Sequence, residues 1–345
     1  MAKDKPKKDE SIDRETLLKK TLRDVDKMFP GALQPASAVV AKERIPFPLE
    51  ELNKLTGGGI PSGTFSVIWG NKSSGKTTMV YSLIAEAQKM GKKCAMLDIE
   101  NSFDGSWAAK AGVNLDTLLV GNKFKTAEEA MDTLIKLTQD QVVDFIIVDS
   151  IQALSPQAEQ QDKKGQKSTA SETMALLARK LSQFFRMCAG DVARGKVAVL
   201  LIGQARTSLG GYVALETLSG GHALQHWSSM TIHIRRGQKK DAPVEKYKET
   251  FIDPETQKER YKTKARIIGF NCVIKLEKTK LKSEVEGSER QLPFYLRTGF
   301  TKPEGVELVQ NAAQEGITEI EEDEYEDIST ETEGNSNTNA PDSSI

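Results

Sequence analysis

FSVIWGNKSSGKTT, residues 65–78, passes from a run that is apolar except for Ser66 (Phe65–Trp69) into nine residues without one apolar side chain (Gly70–Thr78). Behind it Met79, Val80, Leu83, Ile84 and Ala87 recur at the spacing of one helix face. A chain that places its least packable residues between a buried strand and a helix needs them for something other than packing. The stretch fits G-x-x-x-x-G-K-[ST], with Gly70, Gly75, Lys76 and Thr77 at the fixed positions, and strand–loop–helix is the context that confirms this phosphate-binding pattern. The glycines let the backbone curl its N–H groups inward, and the helix N-terminus adds partial positive charge. Lys76 then reaches the terminal phosphates of ATP, Thr77 holds Mg²⁺, and Ser73, Ser74 and Thr78 complete the nucleotide-facing set.

Such a loop calls for a carboxylate at the end of a neighbouring apolar strand, and FIIVDS (Phe145–Ser150) supplies Asp149 for the Mg²⁺ shell. Hydrolysis also needs a group that orients and deprotonates water. LDIE (Leu97–Glu100) ends the strand after the phosphate-loop helix, and strand C-termini line the site of an open parallel sheet. Glu100 is the base candidate, with Asp98 and Asp104 as local competitors. Gln204 closes a further apolar strand, where a neutral amide can bond the γ-phosphate and report its loss to the following loop.

The charge is unevenly distributed. Pro303–Ile345 holds 13 Asp/Glu and no Lys/Arg, which leaves the preceding chain with 48 Lys+Arg against 36 Asp+Glu, a net of +12. A basic body with an acidic tail fits either nucleic-acid binding or a soluble body with a solubilising tail. Cys94, Cys188 and Cys272 are far apart and odd in number, as expected of reduced, buried thiols in a cytoplasmic protein. No apolar run approaches the roughly 20 residues of a membrane span, and the N-terminus lacks a secretory pattern.

Leu18, Leu22, Val25 and Phe29 mark one face of a leading helix over residues 13–29, which Pro30-Gly31 ends. From Phe65 short apolar strands (65–69, 94–99, 117–120, 145–148, 197–202, 230–234) alternate with helices starting near Gly75, Ser106, Thr126, Ser171 and Gly221. That pattern predicts an α/β fold with a mostly parallel twisted sheet flanked by helices. A charged stretch over 239–264, with a turn at Asp253-Pro254, reads as a protruding hairpin, followed by strands at 270–276 and 292–296.

GNKSSGKTT, CAMLDIENSFDGSWAAKAGVNLDTLLV (94–120), FIIVDSIQALSPQAE (145–159), MALLARKLSQ (174–183), LLIGQAR (200–206) and SGGHAL (219–224), in that order, resemble the RecA-type DNA recombinases across residues 13–300. The resemblance implies a RecA-like P-loop ATPase core over 36–300. An N-terminal segment (1–35) carries an oligomerisation helix that packs on a neighbouring subunit, and an acidic, mostly disordered tail covers 301–345. It assigns water activation to Glu100 and γ-phosphate sensing to Gln204. Trp107 stacks on adenine with Asp104 close to the base, and Lys278 and Lys280 reach the ATP of the adjacent subunit. It assigns DNA contact to a first loop near 155–170 and to Met174, Arg179, Ser182 and Arg186; the last three share a helix face, which from spacing alone is an ordinary solvated stripe. A second loop near 207–219 adds Arg206, Leu209 as a wedge between bases, and Gly220, Gly221 and His222 at a helix start.

The chain departs from the family at Lys72, where an acidic residue is usual, and at His226, where an aromatic is usual. Its trimmed C-terminus is more phage-like than cellular. The function expected is an ATP-dependent strand-exchange recombinase that forms helical filaments on single-stranded DNA and pairs it with homologous double-stranded DNA, with single-strand-binding or loader proteins as further partners. The rivals are a ring helicase or branch-migration motor on the same core and a non-catalytic mediator.

Overall fold

Phe65, Val67 and Trp69 belong to one hydrophobic cluster and Ile68 to another. In a strand, side chains alternate between faces, so this strand is buried on both. It is β3 (Thr64–Gly70), and every one of its residues is buried. The computed structural model describes residues 13–33, 35–38, 41–153, 170–208, 215–218, 221–254, 257–309 and 320–322. Residues Met1–Glu43 and Arg44–Ile345 form separate compact units.

The first unit contains α1 (Arg14–Met28), which has no buried residue. The Phe29 N–H closes the helix on the Val25 carbonyl at 2.7 Å, and Gly31 N–H donates to Asp26 at 3.0 Å.

In the second unit β1 (Arg44–Ile45) and β2 (Ile60–Pro61) pair around α2 (Glu50–Thr56). After β3 come α3 (Lys76–Lys89), β4 (Cys94–Asp98), α4 (Gly105–Lys110), β5 (Leu118–Gly121), α5 (Ala127–Gln139) and β6 (Phe145–Asp149). Then follow α6 (Ala170–Arg194), β7 (Ala198–Ser208), β8 (Leu215–Leu218), α7 (Gly221–Trp227) and β9 (Ser228–Arg236). The last strands are β10 (Val244–Ile252), β11 (Glu259–Ile267), β12 (Gly269–Thr279), β13 (Glu289–Tyr295), β14 (Glu307–Leu308) and β15 (Ile320–Glu322).

The main sheet runs β13-β12-β9-β3-β7-β6-β4-β5, with β8 on β7. β9, β3, β7, β6, β4 and β5 are parallel, whereas β12 and β13 are antiparallel additions. Met79, Leu83 and Ile84 of α3 pack with Ile68, Met96 and Ile147 on one face; Met131 and Leu134 of α5 and Phe184 and Phe185 of α6 pack with Phe65, Leu97 and Val148 on the other. Full burial of each such side chain contributes about 1.5–3 kcal/mol. Phe65 meets Phe185 edge-on at 4.9 Å and Phe185 stacks on Trp227 at 6.0 Å, which ties α6 and α7 to the sheet.

The charged hairpin is present as β10 and β11, shifted to 244–267, and it does not stand alone. β14 and β15 flank it in a four-stranded sheet, so residues 307–308 and 320–322 of the expected tail are strands. Cross-strand pairs of opposite charge hold it: Arg266 to Glu245 and Lys264 to Glu249, both at 3.0 Å. β7 and β8 form a second hairpin from Ala205↔Leu218 to Ser208↔Leu215, so the second loop starts and ends in paired strand. No helix among the described residues is long and apolar enough to cross a membrane.

Candidate functional site

Strand register assembles the site. Gly70 stands opposite Gln204, and Asp98 opposite Asp149, so the C-terminal ends of β3, β7, β6 and β4 lie side by side. Open parallel sheets take ligands at this edge.

The phosphate loop is shaped from outside. A Cβ on Gly70 would lie 1.8 Å from the Ile234 carbonyl oxygen, so only glycine fits there. Gly75 has φ 91°, in the left-handed region, and leads directly into α3. Arg236 Nε donates to the Ser73 carbonyl at 2.8 Å, its guanidinium lying 4.1 Å from the centre of the Phe270 ring, and Cys272 Sγ donates to the Ser74 carbonyl at 3.3 Å. In a trans peptide the C=O and the next N–H point oppositely. Holding carbonyls 73 and 74 outward therefore turns the N–H groups of Ser74 and Gly75 into the loop. Ser74 Oγ is buried there without a hydrogen-bond partner. Lys76 Nζ donates to the Gly70 and Asn71 carbonyls at 2.9 and 2.6 Å. Burial lowers its pKa, opposed by the charges of Asp149 and Glu100.

Asp98, Glu100 and Asp149 converge beside this loop. Asp98 is fully buried and accepts from the backbone of Ser102 and Phe103 at 3.2 and 2.9 Å, so it shapes the turn after β4. Ile99 N–H donates to the Asp149 carbonyl at 2.6 Å, which sets Glu100 against the end of β6. Glu100 Oε1 accepts from the Ser150 hydroxyl and from Gln204 Nε2, the latter at 2.6 Å. The Asp149 carboxyl is pushed up to about 7, mainly by burial, then by the negative charges of Glu100 and Asp98, with Lys76 opposing. A divalent cation would relieve that crowding. No group of three His, Cys, Asp or Glu among the described residues forms an all-protein metal site. Mg²⁺ typically takes only one or two carboxylates plus substrate phosphates and water. Asp149, half-buried Thr77, the inward-turned N–H groups of Ser74 and Gly75 and the orphaned Ser74 hydroxyl fit Mg²⁺–ATP on that basis.

Trp107 Nε1 donates to the Thr78 hydroxyl at 2.9 Å, which fixes the indole next to the start of α3. A cavity of about 310 Å³ opens there, lined in part by Pro48, Thr78, Trp107, Lys110, Thr298 and Phe300. Asp104 caps α4, accepting from Ser106 N–H at 2.8 Å and Trp107 N–H at 3.0 Å, and the Trp107 bond is the largest cause of its lowered pKa. It positions Trp107.

Lys278 and Lys280 lie past a bulge in the β12–β9 pairing and donate to the last carbonyls of α7, Lys278 to Gln225 and Lys280 to His226 at 2.8 Å. Cations at a helix C-terminus are favourable. On α6 the exposed Arg179 and Arg186 and the half-buried Ser182 lie opposite the buried Leu181, Phe184, Phe185 and Cys188, and the Ser182 hydroxyl donates to the Ala178 carbonyl at 2.9 Å. Arg206 is exposed on β7, and Gly221 and His222 open α7. Leu209, Gly220, residues 155–169 and the Met174 and His222 side chains lie outside what the structure describes.

Sequence reasoning missed Ser150, Arg236 and Asn71. Ser150 follows a recognised aspartate, but its partner is 50 positions away. Arg236 ends a strand far from the loop that it braces, and nothing local marks it.

The fold and the loop define a P-loop protein of the doubly wound α/β class. The family model described as the RecA N-terminal domain matches residues 18–282. The chain belongs to the RecA family. It is 36% identical to protein RecA of Chloroflexus aurantiacus over 230 residues, covering 65% of this chain and 64% of that one. With protein RecA of Rhodopirellula baltica it shares 40% identity over 236 residues, covering 67% and 61%. The matched stretch thus spans under two thirds of either relative's length. A crystal structure of the RadB recombinase superposes with a TM-score of 0.50 at 18% identity, covering 74% of this chain and 97% of that one, which is a likeness of fold.

Proposed function

We propose that the chain is a DNA-dependent ATPase that assembles as a helical filament on single-stranded DNA and exchanges strands with a homologous duplex. The observation that carries this reading is the bond from Gln204 to Glu100. It joins the candidate base directly to the strand that runs into the second DNA loop, so a change at the terminal phosphate is felt where DNA would be held.

Lys76 and the inward N–H groups of the loop would bind the phosphates, and Thr77 and Asp149 would hold Mg²⁺. Bound Mg²⁺ supplies charge neutralisation of the phosphate oxygens. Glu100, steadied on Oε1 by Ser150 and Gln204, would take the proton of the attacking water. Trp107, locked by Thr78, would stack on the base in the neighbouring cavity. Lys278 and Lys280 would leave the α7 carbonyls to reach a neighbouring subunit's phosphates, so that a complete site exists only between subunits. Arg179, Arg186 and Arg206 would contact the DNA backbone, which carries no sequence information; pairing between strands supplies it.

The deciding experiment is negative-stain electron microscopy of the full chain with single-stranded DNA and a non-hydrolysable ATP analogue. The expected result is long helical filaments that require both ligands. Closed rings would replace this reading with a ring motor. Unassembled protein that still binds both ligands would replace it with a mediator.

A further inference from the structure

Gln204 is one end of the β7–β8 hairpin; the other end also reaches the phosphate loop. Glu216 of β8 stands opposite Thr207 in the ladder. Its Oε1 accepts from Asn71 Nδ2 at 2.5 Å, and Asn71 is the residue after Gly70, the first of the phosphate-binding pattern. Its Oε2 is 3.5 Å from His233 Nε2, a buried nitrogen without a hydrogen bond. The His233 ring stacks on Trp69 at 3.9 Å with 9° between planes, and the Trp69 indole N–H donates to Glu277 at 2.7 Å. Glu277 immediately precedes Lys278. Below β8 lies a cavity of about 550 Å³, lined in part by Trp69, Glu216, Gln225, Glu277 and Lys278. β8 therefore pairs with β7, spans open space and meets the nucleotide loop through the Asn71–Glu216 bond.

We propose that Asn71 and Glu216 are positioning residues that couple the phosphate loop to the second DNA loop, acting beside Gln204. The physical basis is charge and geometry. Phosphates in the loop and the Glu216 carboxylate are like charges, and Asn71 stands between them as a neutral donor. A rearrangement of residues 70–75 around an anion moves the donor on which β8 depends. Tied at Gln204 and at Glu216, both strands of the hairpin are set by the nucleotide site. The network continues through His233 and Trp69 to the strand of Lys278, so the same tie reaches the residues assigned to the neighbouring subunit.

The inference rests on the reading of the chain as a nucleotide- and DNA-binding protein. Its test is the ratio of single-stranded DNA affinity with and without a non-hydrolysable ATP analogue, measured on the full chain with a fluorescein-labelled oligo-dT. Coupling is reciprocal, so analogue affinity with and without DNA must give the same factor. Asn71→Ala and Glu216→Ala should each lower the ratio at least about fivefold, the lower end of usual coupling factors, while in Glu216→Ala analogue affinity without DNA stays within about twofold. The double variant should be no worse than either single one, because each removes the same bond. Asn71→Asp alone sets two carboxylates face to face and should also uncouple. Asn71→Asp with Glu216→Gln reverses donor and acceptor at unchanged total charge and should restore coupling. A role in folding alone would not be rescued in this way. Unchanged ratios in the single variants, or additive losses with no rescue, would overturn the inference. A parent protein whose DNA binding ignores nucleotide would instead overturn the functional reading.

Discussion

Glu100 accepts two hydrogen bonds on one oxygen, from Ser150 just past β6 and from Gln204 within β7. Its direction is therefore set before any substrate arrives, which a candidate general base needs. Glu100→Gln keeps the size and can still accept from Ser150, but the amide cannot take a proton at neutral pH. Its ATP hydrolysis should fall by about 10²–10⁴-fold, with nucleotide affinity within a few-fold of the parent, as single-turnover hydrolysis and equilibrium titration would show. Hydrolysis at more than a tenth of the parent rate would remove Glu100 from the role. The three cysteines make a second case at this scale. Cys94, Cys188 and Cys272 are unpaired and buried, and burial pushes each thiol up to about 12. The thiolate is the reactive form. The native protein at neutral pH should show no fast-reacting thiol toward an aromatic disulfide reagent, and all three should react in denaturant. One fast thiol in the native state would contradict the burial.

At the scale of elements, β9 carries a buried histidine into the sheet beside the phosphate loop. Burial is the largest cause that holds the His233 pKa below its ordinary 6.5; Arg235 and Lys275 act in the same direction, and Glu216 opposes them. Glu277 also faces the ring, 3.9 Å from Nδ1. Unfolded, His233 takes up its proton near pH 6.5; folded, it does so only at lower pH. Across that window the unfolded state binds more protons, so stability falls as pH falls. His233→Phe keeps a ring against Trp69 and removes the titration. Urea unfolding between about pH 7 and pH 6 should show a shallower loss of stability in the variant, and equal slopes would refute the assignment. Periodicity announces β9 as a strand, but not that its histidine is wedged between Trp69 and two carboxylates. That depends on β3 being its neighbour and on β8 folding back over both.

For the whole molecule, the separation of Met1–Glu43 from Arg44–Ile345 matters most. Leu17, Leu18, Leu22 and Phe29 are exposed in the first unit, while the second contains both hydrophobic clusters of the sheet. The assembly role proposed for this helix rests on these exposed apolar side chains. Removal of residues 1–43 should leave the thermal midpoint within about 2 °C, a change below 1 kcal/mol, and leave nucleotide binding intact. It should abolish filaments seen by electron microscopy. A large drop in the midpoint would mean that α1 belongs to the folding core, and normal filaments would mean that it has no part in assembly.

What the sequence by itself determined is local. The largely apolar runs at 65–69, 94–99, 145–148 and 197–202 became buried parallel strands because a strand covered on both faces is built mainly of apolar side chains. The phosphate loop, Asp149 and Glu100 were legible because each sits at a fixed offset from such a strand. Only the tertiary structure decided what meets what. Glu100 finds Ser150 and Gln204, and Asn71 finds Glu216, because β7 and β6 lie between β3 and β4 and because β8 turns back on β7. The same holds for Arg236 behind Ser73, for Lys278 and Lys280 on the end of α7, and for the strands at 307–308 and 320–322 that turn a charged hairpin into a sheet. Strand order and register are settled by the packing of the whole core, and no window of neighbouring residues contains that information.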